Sequence, residues 1–450
     1  MSQEDIPMRH LALSVAALAL LLPGVAAHAQ IGTMVPDARL PIVTSSPRVL
    51  EWQDAGYFRH LNGAPIVYTL LVDVTTLGAV GDGVTINNTA FNTAINQAAA
   101  EAANGGFTII YVPAGTYAFN APLNLPSNTV LKGAGSTATT LAFTLTTGNA
   151  INVNGRTNTG IEDLKMTMAT GNNKNGFTGN LISYTNTVDG YVRGVHTFMP
   201  ARNHIRLVNS QNIEVRDSFI DDAQDVGGGG NGYGVELDSG SVKCLVENNV
   251  FRKLRHSMIL QTDCHFNVFG YNYSTQQIRS ETPTDWASDI TLHGSWDTNR
   301  GGPYLNLFEG NRVQFIAADD SHGANGNYNL FFRNESNYLG IRIANTTSNQ
   351  SMVNNFFRCT NVFWTIQGYP WVVPSNKGHW FKNNRTLKGS TTTWRDSQNS
   401  TYFNDVSYYL EAKPAFFGSA PWPHEPYSQT IPAETRGWTA ITAGWSGYTP

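Results

Sequence analysis

The stretch FGYNYS (residues 269–274) sets Asn272 between tyrosines, just behind a short aromatic run, and related stretches return along the second half of the chain. They are EVRDSF (214–219), VENNVF (246–251), FEGNRV (308–313), FRNES (332–336), VNNFF (353–357) and KNNRT (382–386). Anchored on Asp217, Asn249, Asn272, Asn311, Asn334, Asn355 and Asn384, the successive spacings are 32, 23, 39, 23, 21 and 29. The base period is therefore about 22, with the longer gaps being that period plus inserted loops, as one coil of a parallel β-helix requires. Asparagine tolerates the left-handed conformation of a tight corner and can pair with an asparagine stacked on it. Leucine-rich repeats share the period but need leucines at fixed positions, and these are missing.

Aligning the coils predicts the faces of the strands. GVELD (234–238), SMILQ (257–261) and DITLH (289–293) superpose. Strand alternation then points Val235, Met258 and Ile290, with Leu237, Leu260 and Leu292, inward. The outward columns read Glu236, Ile259, Thr291 and Asp238, Gln261, His293. GIRIA (340–344) adds Arg342 to the first column, and WTIQ (364–367) adds Gln367 to the second. Insertions at 222–232, 275–287 and 297–303 leave the coil within a few rungs of this patch, where loops on a rigid scaffold wall a groove.

Composition fits a β-rich, turn-rich chain: 14% of residues are charged, against roughly a quarter in an average globular protein, and there are 42 glycines, 18 tyrosines and 22 phenylalanines. The net charge of −4 lacks the basic surplus of a nucleic-acid binder. The N-terminus reads as an export signal, with MRH followed by an apolar run and an A-x-A site. Cleavage after Ala29 and a secreted or periplasmic location are expected, with Met8 as an alternative start and no membrane span in the mature chain. Three cysteines are too few for a disulfide framework; Cys244 and Cys264, about one coil apart, could bridge, but two buried thiols are favoured.

Residues 73–141 read as an entry unit. Phe91, Ile95 and Ala98/Ala99 recur at helical spacing over Asn88–Ala103, and Gly105-Gly106 stops the helix. Short β runs follow at Thr108–Val112, Thr116–Phe119, Thr129–Lys132 and Thr140–Phe143. The stretch GAVGDGVTINNTAFNTAINQAA, with GGFTIIYVPAGTYAFNAPLNLPSNTVLKGAG behind it, resembles the entry and first coils of the pectate-lyase superfamily. The resemblance is strongest to its rhamnogalacturonase/epimerase-like domain, and the coil repeats extend it to about residue 385. It implies an all-β, right-handed parallel β-helix (pectin-lyase-like) with a short N-terminal capping helix. The expected organisation is a signal peptide over 1–29, an extended segment over 30–72, the β-helix over 73–387 and an irregular cap over 388–450 lying on the last coil. Within the superfamily occur uronan lyases, polygalacturonase-like hydrolases, epimerases and phage depolymerases, and the polygalacturonase signatures are not reproduced beyond Asp221-Asp222.

A uronan lyase must neutralise the substrate carboxylate, remove the adjacent C5 proton and protonate the leaving oxygen. Arg255, His256 and His293 are the candidates for these tasks, while Arg252 and Lys253 read as a solvated turn. A hydrolase needs a carboxylate pair, for which Glu236, Asp238 and Asp289 are candidates. IAADDSHGANGN (316–327) breaks the apolar rung pattern and offers Asp319, Asp320 and His322 as substrate contacts. Gln261, Arg342 (otherwise a rung-spanning donor), Trp286 and Trp296 complete the expected binding set, and Tyr304, Trp364 and Trp371 are further aromatics that could stack on sugar rings. No metal-ligand spacing occurs; Ca²⁺ on Asp221, Asp222 or Asp225 is an unsupported option. The favoured reading is a lyase acting on an acidic polysaccharide. A β-helix glycoside hydrolase is the alternative, and a non-catalytic glycan-binding surface protein the third reading.

Overall fold

Apolar residues at every second position, interrupted every few residues by Asn, Asp or Gly, make short strands that must turn sharply and stack. The computed structural model describes residues 50–57, 60, 66–145, 147–168, 179–227, 229–277, 287–359, 370–395, 406–426 and 428–442. The expected export signal and its cleavage site, Trp286, Trp364 and Gln367 lie outside the described residues. The strands stack into a right-handed parallel β-helix. One face is a 12-stranded parallel ladder running from Leu70–Asp73 to Trp380–Lys382. The second and third ladders begin at Asp82–Ile86 and Leu123–Asn124. They merge where the long strands Arg312–Ala318 and Glu335–Ile343 run through the corner and pair on both faces.

The inward columns match the alternation of the sequence. Val235, Met258, Ile290, Ile316 and Ile341 are in register, as are Leu237, Leu260, Leu292, Ala318 and Ile343, and all are buried. Along the first ladder Phe269, Phe308 and Phe331 stack with ring centroids 5.3 and 4.9 Å apart. The helix Asn88–Ala103 packs Phe91 edge-on to Phe119 of the first coil; Ala94 takes the buried place beside Ala98, and Ala99 faces solvent.

The asparagine anchors form a ladder, one position removed from the left-handed corner. The left-handed residues are Asn248, Tyr271, Arg333, Asn354 and Asn383, with φ between +52° and +55°. The following asparagines carry the hydrogen bonds. Nδ2 of Asn249, Asn272, Asn311, Asn334 and Asn355 donates to Oδ1 of the next anchor at 2.8–3.1 Å, ending on Asn384. Each Nδ2 also donates to a backbone carbonyl of the preceding coil, as Asn311 does to Phe269 O. The column does not begin at Asp217: Ser218, one residue on, donates its backbone N–H to Asn249 Oδ1, while Asp217 itself is the left-handed residue. A second ladder, not apparent from the first alignment, runs through Asn267, Asn306, Asn329 and Gln350, five residues earlier on each coil.

One expectation needs correction. Residues 406–442 do not lie on the last coil. Their helix Pro432–Thr442 packs on the strands Val250–Arg252 and Tyr273–Thr275 of the second ladder. Their first part runs back over the outer face of the first ladder, where Tyr408 N donates to Glu309, Tyr409 Oη to Glu247 and Trp422 Nε1 to Tyr271 Oη. That face carries Leu307, Leu330, Phe332 and Tyr271, which need cover from water. The last described coil is closed by Thr391–Arg395, pairing antiparallel with Asn384–Lys388. Cys244 and Cys264 are buried free thiols, as is Cys359.

Asn311 accepts from the N and Nδ2 of Asn272 and donates to Asn334 and Phe269. Asn311→Ala therefore strands several buried polar groups, and a loss of about 2–4 kcal/mol is expected as a lowered unfolding midpoint. Asn92→Ala on the exposed face of the helix is the control, expected to be neutral or slightly stabilising.

Candidate active site

The third ladder presents the outward columns. Its rungs are Asn203–Val208, Tyr233–Asp238, His256–Leu260, Ile290–Leu292, the second halves of Arg312–Ala318 and Glu335–Ile343, and Trp371–Val372. One column reads Arg206, Glu236, Ile259, Thr291, Ala317, Arg342, Val372. Val372 thus stands beside Arg342. In the next column Asp238, Gln261, His293 and Asp319 each follow the last inward residue of their strand.

Two polar groups cluster here. In the first, Arg206 holds both acidic neighbours, with Nε 2.8 Å from Glu236 Oε2 and Nη2 2.8 Å from Asp238 Oδ2. Glu236 also accepts from Asn203 Nδ2 at 2.5 Å and Gln261 Nε2 at 3.0 Å. Burial pushes the Glu236 carboxyl above its ordinary range, and the Arg206 charge opposes that push. The indole N–H of Trp296 donates to Gln261 Oε1, which ties the exposed Trp296 ring to this network.

The second cluster is built on His293 and His322. Nε2 of His293 lies 2.8 Å from Nδ1 of His322 and 2.9 Å from Ser321 Oγ, and Asp319 Oδ2 is 3.6 Å away. Ser321 Oγ donates to Asp319 Oδ1 at 2.8 Å. The two facing ring nitrogens have room for one proton between them, so protonating both rings is costly. Burial, then the nearby Arg255 charge, lowers His293 to about 4; burial, then His293, lowers His322 to about 4. Burial raises Asp319, with the Ser321 hydrogen bonds opposing. Ser321 and Asp319 meet the same nitrogen of His293, while its Nδ1 is buried without a hydrogen-bond partner. A serine nucleophile relay needs the carboxylate on the opposite ring nitrogen from the serine, so this is not one. Trp296, 61% exposed, lies across the His322 ring.

The remaining candidates are distributed differently. Arg255 is half-buried near His293. His256 is buried, its Nδ1 2.8 Å from Thr291 Oγ1 and its ring centroid 6.3 Å from that of His293, so it stands behind the pair. Asp289 sits inside the corner, accepting from Ser274 Oγ and from the backbone N–H groups of Gln314 and Phe315; its carboxylate serves the turn, not the face. Asp320 and Arg342 line a neighbouring groove. Arg252 is no solvated turn residue: it is buried, with Nε 2.5 Å and Nη2 2.8 Å from Asp221. Lys253 pairs with Asp222 at 3.2 Å, and Asp225 accepts from Gly227 N and Asn231, so the three aspartates weighed for Ca²⁺ already have partners. Among the described residues no group of three or more His, Cys, Asp or Glu side chains is placed to hold a metal ion. Tyr304 stacks on His265 with ring centroids 4.8 Å apart. Arg206, Asn203 and Ser321 were not singled out from the sequence. Extending the alignment one coil upstream, to NHIRLV (203–208), would have set Arg206 beside Glu236.

Arg206→Ala would leave two largely buried carboxylates without their cation. A loss of about 3 kcal/mol is expected, read as a lower denaturation midpoint, with partial recovery when Glu236→Gln is added. Full additivity of the two substitutions would show that the ion pair is not what holds this part of the face.

A stretch of 107 residues, 23% of this chain, is 39% identical to the preneck appendage protein of Bacillus phage PZA, of which it spans 12%. Among solved structures, the A-module of mannuronan C-5 epimerase AlgE4 from Azotobacter vinelandii is 18% identical with a TM-score of 0.45, over 70% of this chain and 76% of that one. Geobacillus virus E2 ORF18 is 18% identical with a TM-score of 0.48, over 73% of this chain and 63% of that one. A Thermotoga maritima exopolygalacturonase is 12% identical with a TM-score of 0.47, over 77% and 97%. The family described as rhamnogalacturonase A/epimerase, pectate lyase-like, accounts for residues 71–301, just over half of the chain. With its first coils, entry helix and stacked rungs in that pattern, the chain belongs to the rhamnogalacturonase A/epimerase, pectate lyase-like family.

Proposed function

We propose that the protein is an exported lyase that cleaves an acidic, uronic-acid-containing polysaccharide by β-elimination at the His293–His322 pair. The observation that carries this reading is a pair of imidazoles kept neutral by burial, beside the Arg255 guanidinium and beneath an exposed indole. Arg255 neutralises the C6 carboxylate, which makes the C5 proton more acidic. The imidazole pair takes that proton; the C5 electron pair becomes the C4–C5 double bond as the C4–O bond breaks. The proton on the pair is then available to the leaving oxygen, with Asp319 beside it to stabilise the charged ring. Pairing of the substrate carboxylate with Arg255 removes part of what depresses His293, so substrate raises the basicity of its own base. Trp296 offers a platform for a sugar ring. A carboxylate-pair hydrolase is less well supported, because Glu236 and Asp238 share Arg206 and Glu236 has two further donors.

A panel of uronic-acid polymers tests this through the ultraviolet absorbance of the unsaturated product. New reducing ends without that absorbance would make the protein a hydrolase, and binding without either product a glycan-binding protein. On a confirmed substrate, His293→Ala and Arg255→Ala are each expected to lower kcat by about 100-fold or more. His256→Ala should act mainly on stability, and unimpaired turnover in both of the other variants would remove the site from consideration. The base works in its neutral form, so kcat/KM should rise with pH on a limb near 4, well below the ordinary histidine range. A limb at the usual value would count against the pair as base.

A further inference from the structure

The buried carboxylate of Glu236 meets donors on both of its oxygens. Its Oε2 takes Asn203 Nδ2 at 2.5 Å and the Arg206 guanidinium at 2.8 Å, and its Oε1 takes Gln261 Nε2 at 3.0 Å. The Gln261 amide therefore has its orientation set from two sides. Its Nε2 faces an acceptor, and its Oε1 receives the indole N–H of Trp296, a group that can only donate. Turning the amide over would set donor against donor at the indole and acceptor against acceptor at the carboxylate. Trp296 stands outside the strands, where no ladder register aims its side chain. The ring held by Gln261 is 61% exposed and lies across His322 at a centroid distance of 3.3 Å, with His293 6.0 Å away.

We propose that Arg206, Glu236 and Gln261 form a charge-ordered relay that positions the Trp296 indole over the His322 ring. Arg206 and Asn203 hold Glu236 as the carboxylate, the carboxylate sets the Gln261 amide, and the amide sets the indole. Glu236 is thus a positioning residue, acting on the imidazole pair through Trp296. The consequence for turnover rests on the lyase reading of the preceding section, whereas the relay itself is measurable without substrate.

The polarity of the relay supplies a test that packing alone would not pass. In Glu236→Gln the carbonyl oxygen takes the Oε2 side, where two donors converge, so the new amide NH2 faces Gln261. Gln261 then turns its oxygen to that NH2 and its own NH2 to the indole, which loses its acceptor. Adding Gln261→Glu restores an acceptor for both neighbours, so the double variant should hold the indole as the wild type does. Gln261→Glu alone sets two carboxylates against each other and should unfold at a lower denaturant midpoint than the double variant.

The measurement is solvent exchange of the Trp296 indole N–H in full-length protein labelled with 15N-tryptophan. Its resonance, among those of the ten tryptophans, is the one lost in Trp296→Phe. Exchange should speed up by about tenfold in Glu236→Gln and return to within about twofold of the wild type in the double variant. On a confirmed uronan, kcat should fall by about tenfold in Glu236→Gln and recover in the double variant. Should Glu236→Gln not fold, the double variant decides, because only the relay makes the second substitution repair the first. Unchanged indole exchange in Glu236→Gln overturns the relay, as does a double variant that fails to fold or exchanges fast. If exchange follows the relay while no uronic-acid polymer is cleaved, the lyase reading falls and the relay stands. If elimination is confirmed but the indole does not respond, the relay falls and the lyase reading stands.

Discussion

Every coil must turn its corners without leaving buried backbone groups unpaired, and the two amide ladders are the solution. A left-handed residue makes the corner, and the next residue carries a side chain that bonds its counterparts on both neighbouring coils. An asparagine amide offers two donors and an acceptor that can take two bonds, so a stacked column of them can be saturated internally. Because the ladders lock the coils at both ends of the first-face strands, they also fix the register of the other two faces. The outward columns of the candidate site follow from that register: a slip of one residue would turn Glu236 and His293 into the apolar core and Val235 and Leu292 out of it.

The electrostatics follow from the same stacking. A chain with few charges sets them on neighbouring rungs, where a side chain on one coil meets its partner on the next. Arg252 with Asp221, Arg206 with Glu236 and Asp238, and Arg312 with Glu335 are all such pairs. Pairs of this kind are costly to bury singly and tolerable together. The His293–His322 contact is the exception. It brings two like groups together; burial keeps both rings neutral at neutral pH and leaves a proton acceptor on a face otherwise crowded with satisfied ions. A neutral acceptor beside the Arg255 guanidinium is suited to the anionic substrate proposed for it.

Legibility varied with the range of the interactions involved. The helix Asn88–Ala103 and the strand Thr108–Val112 could be read residue for residue, because helical spacing and strict alternation are local signals. The columns through Glu236 and Asp238 were legible once the coils were aligned. The second ladder was less so, because Cys244 and Gln350 stand at its two ends and leave three asparagines between them. Arg252 looked like a turn residue because nothing nearby in sequence announces Asp221, which lies 31 residues away. Asp289 looked free because its partners, the N–H groups of Gln314 and Phe315, are backbone atoms that no sequence pattern displays. The C-terminal segment lacked the repeat, and its path depends on an apolar outer face assembled from separate coils.

The sequence by itself determined the coil, its period, its inward columns and the family, because one physical rule, alternation closed by amide-bearing corners, repeats often enough to be read. Only the tertiary structure decided which outward side chains meet. Insertions of differing length lie between the rungs, so His293 and His322, 29 residues apart, become neighbours at 2.8 Å, and Arg206 reaches carboxylates on the next coil. Hydrogen bonds and charge pairs act over a few ångströms, and in a stacked coil that distance is set by the register between coils and not by separation along the chain.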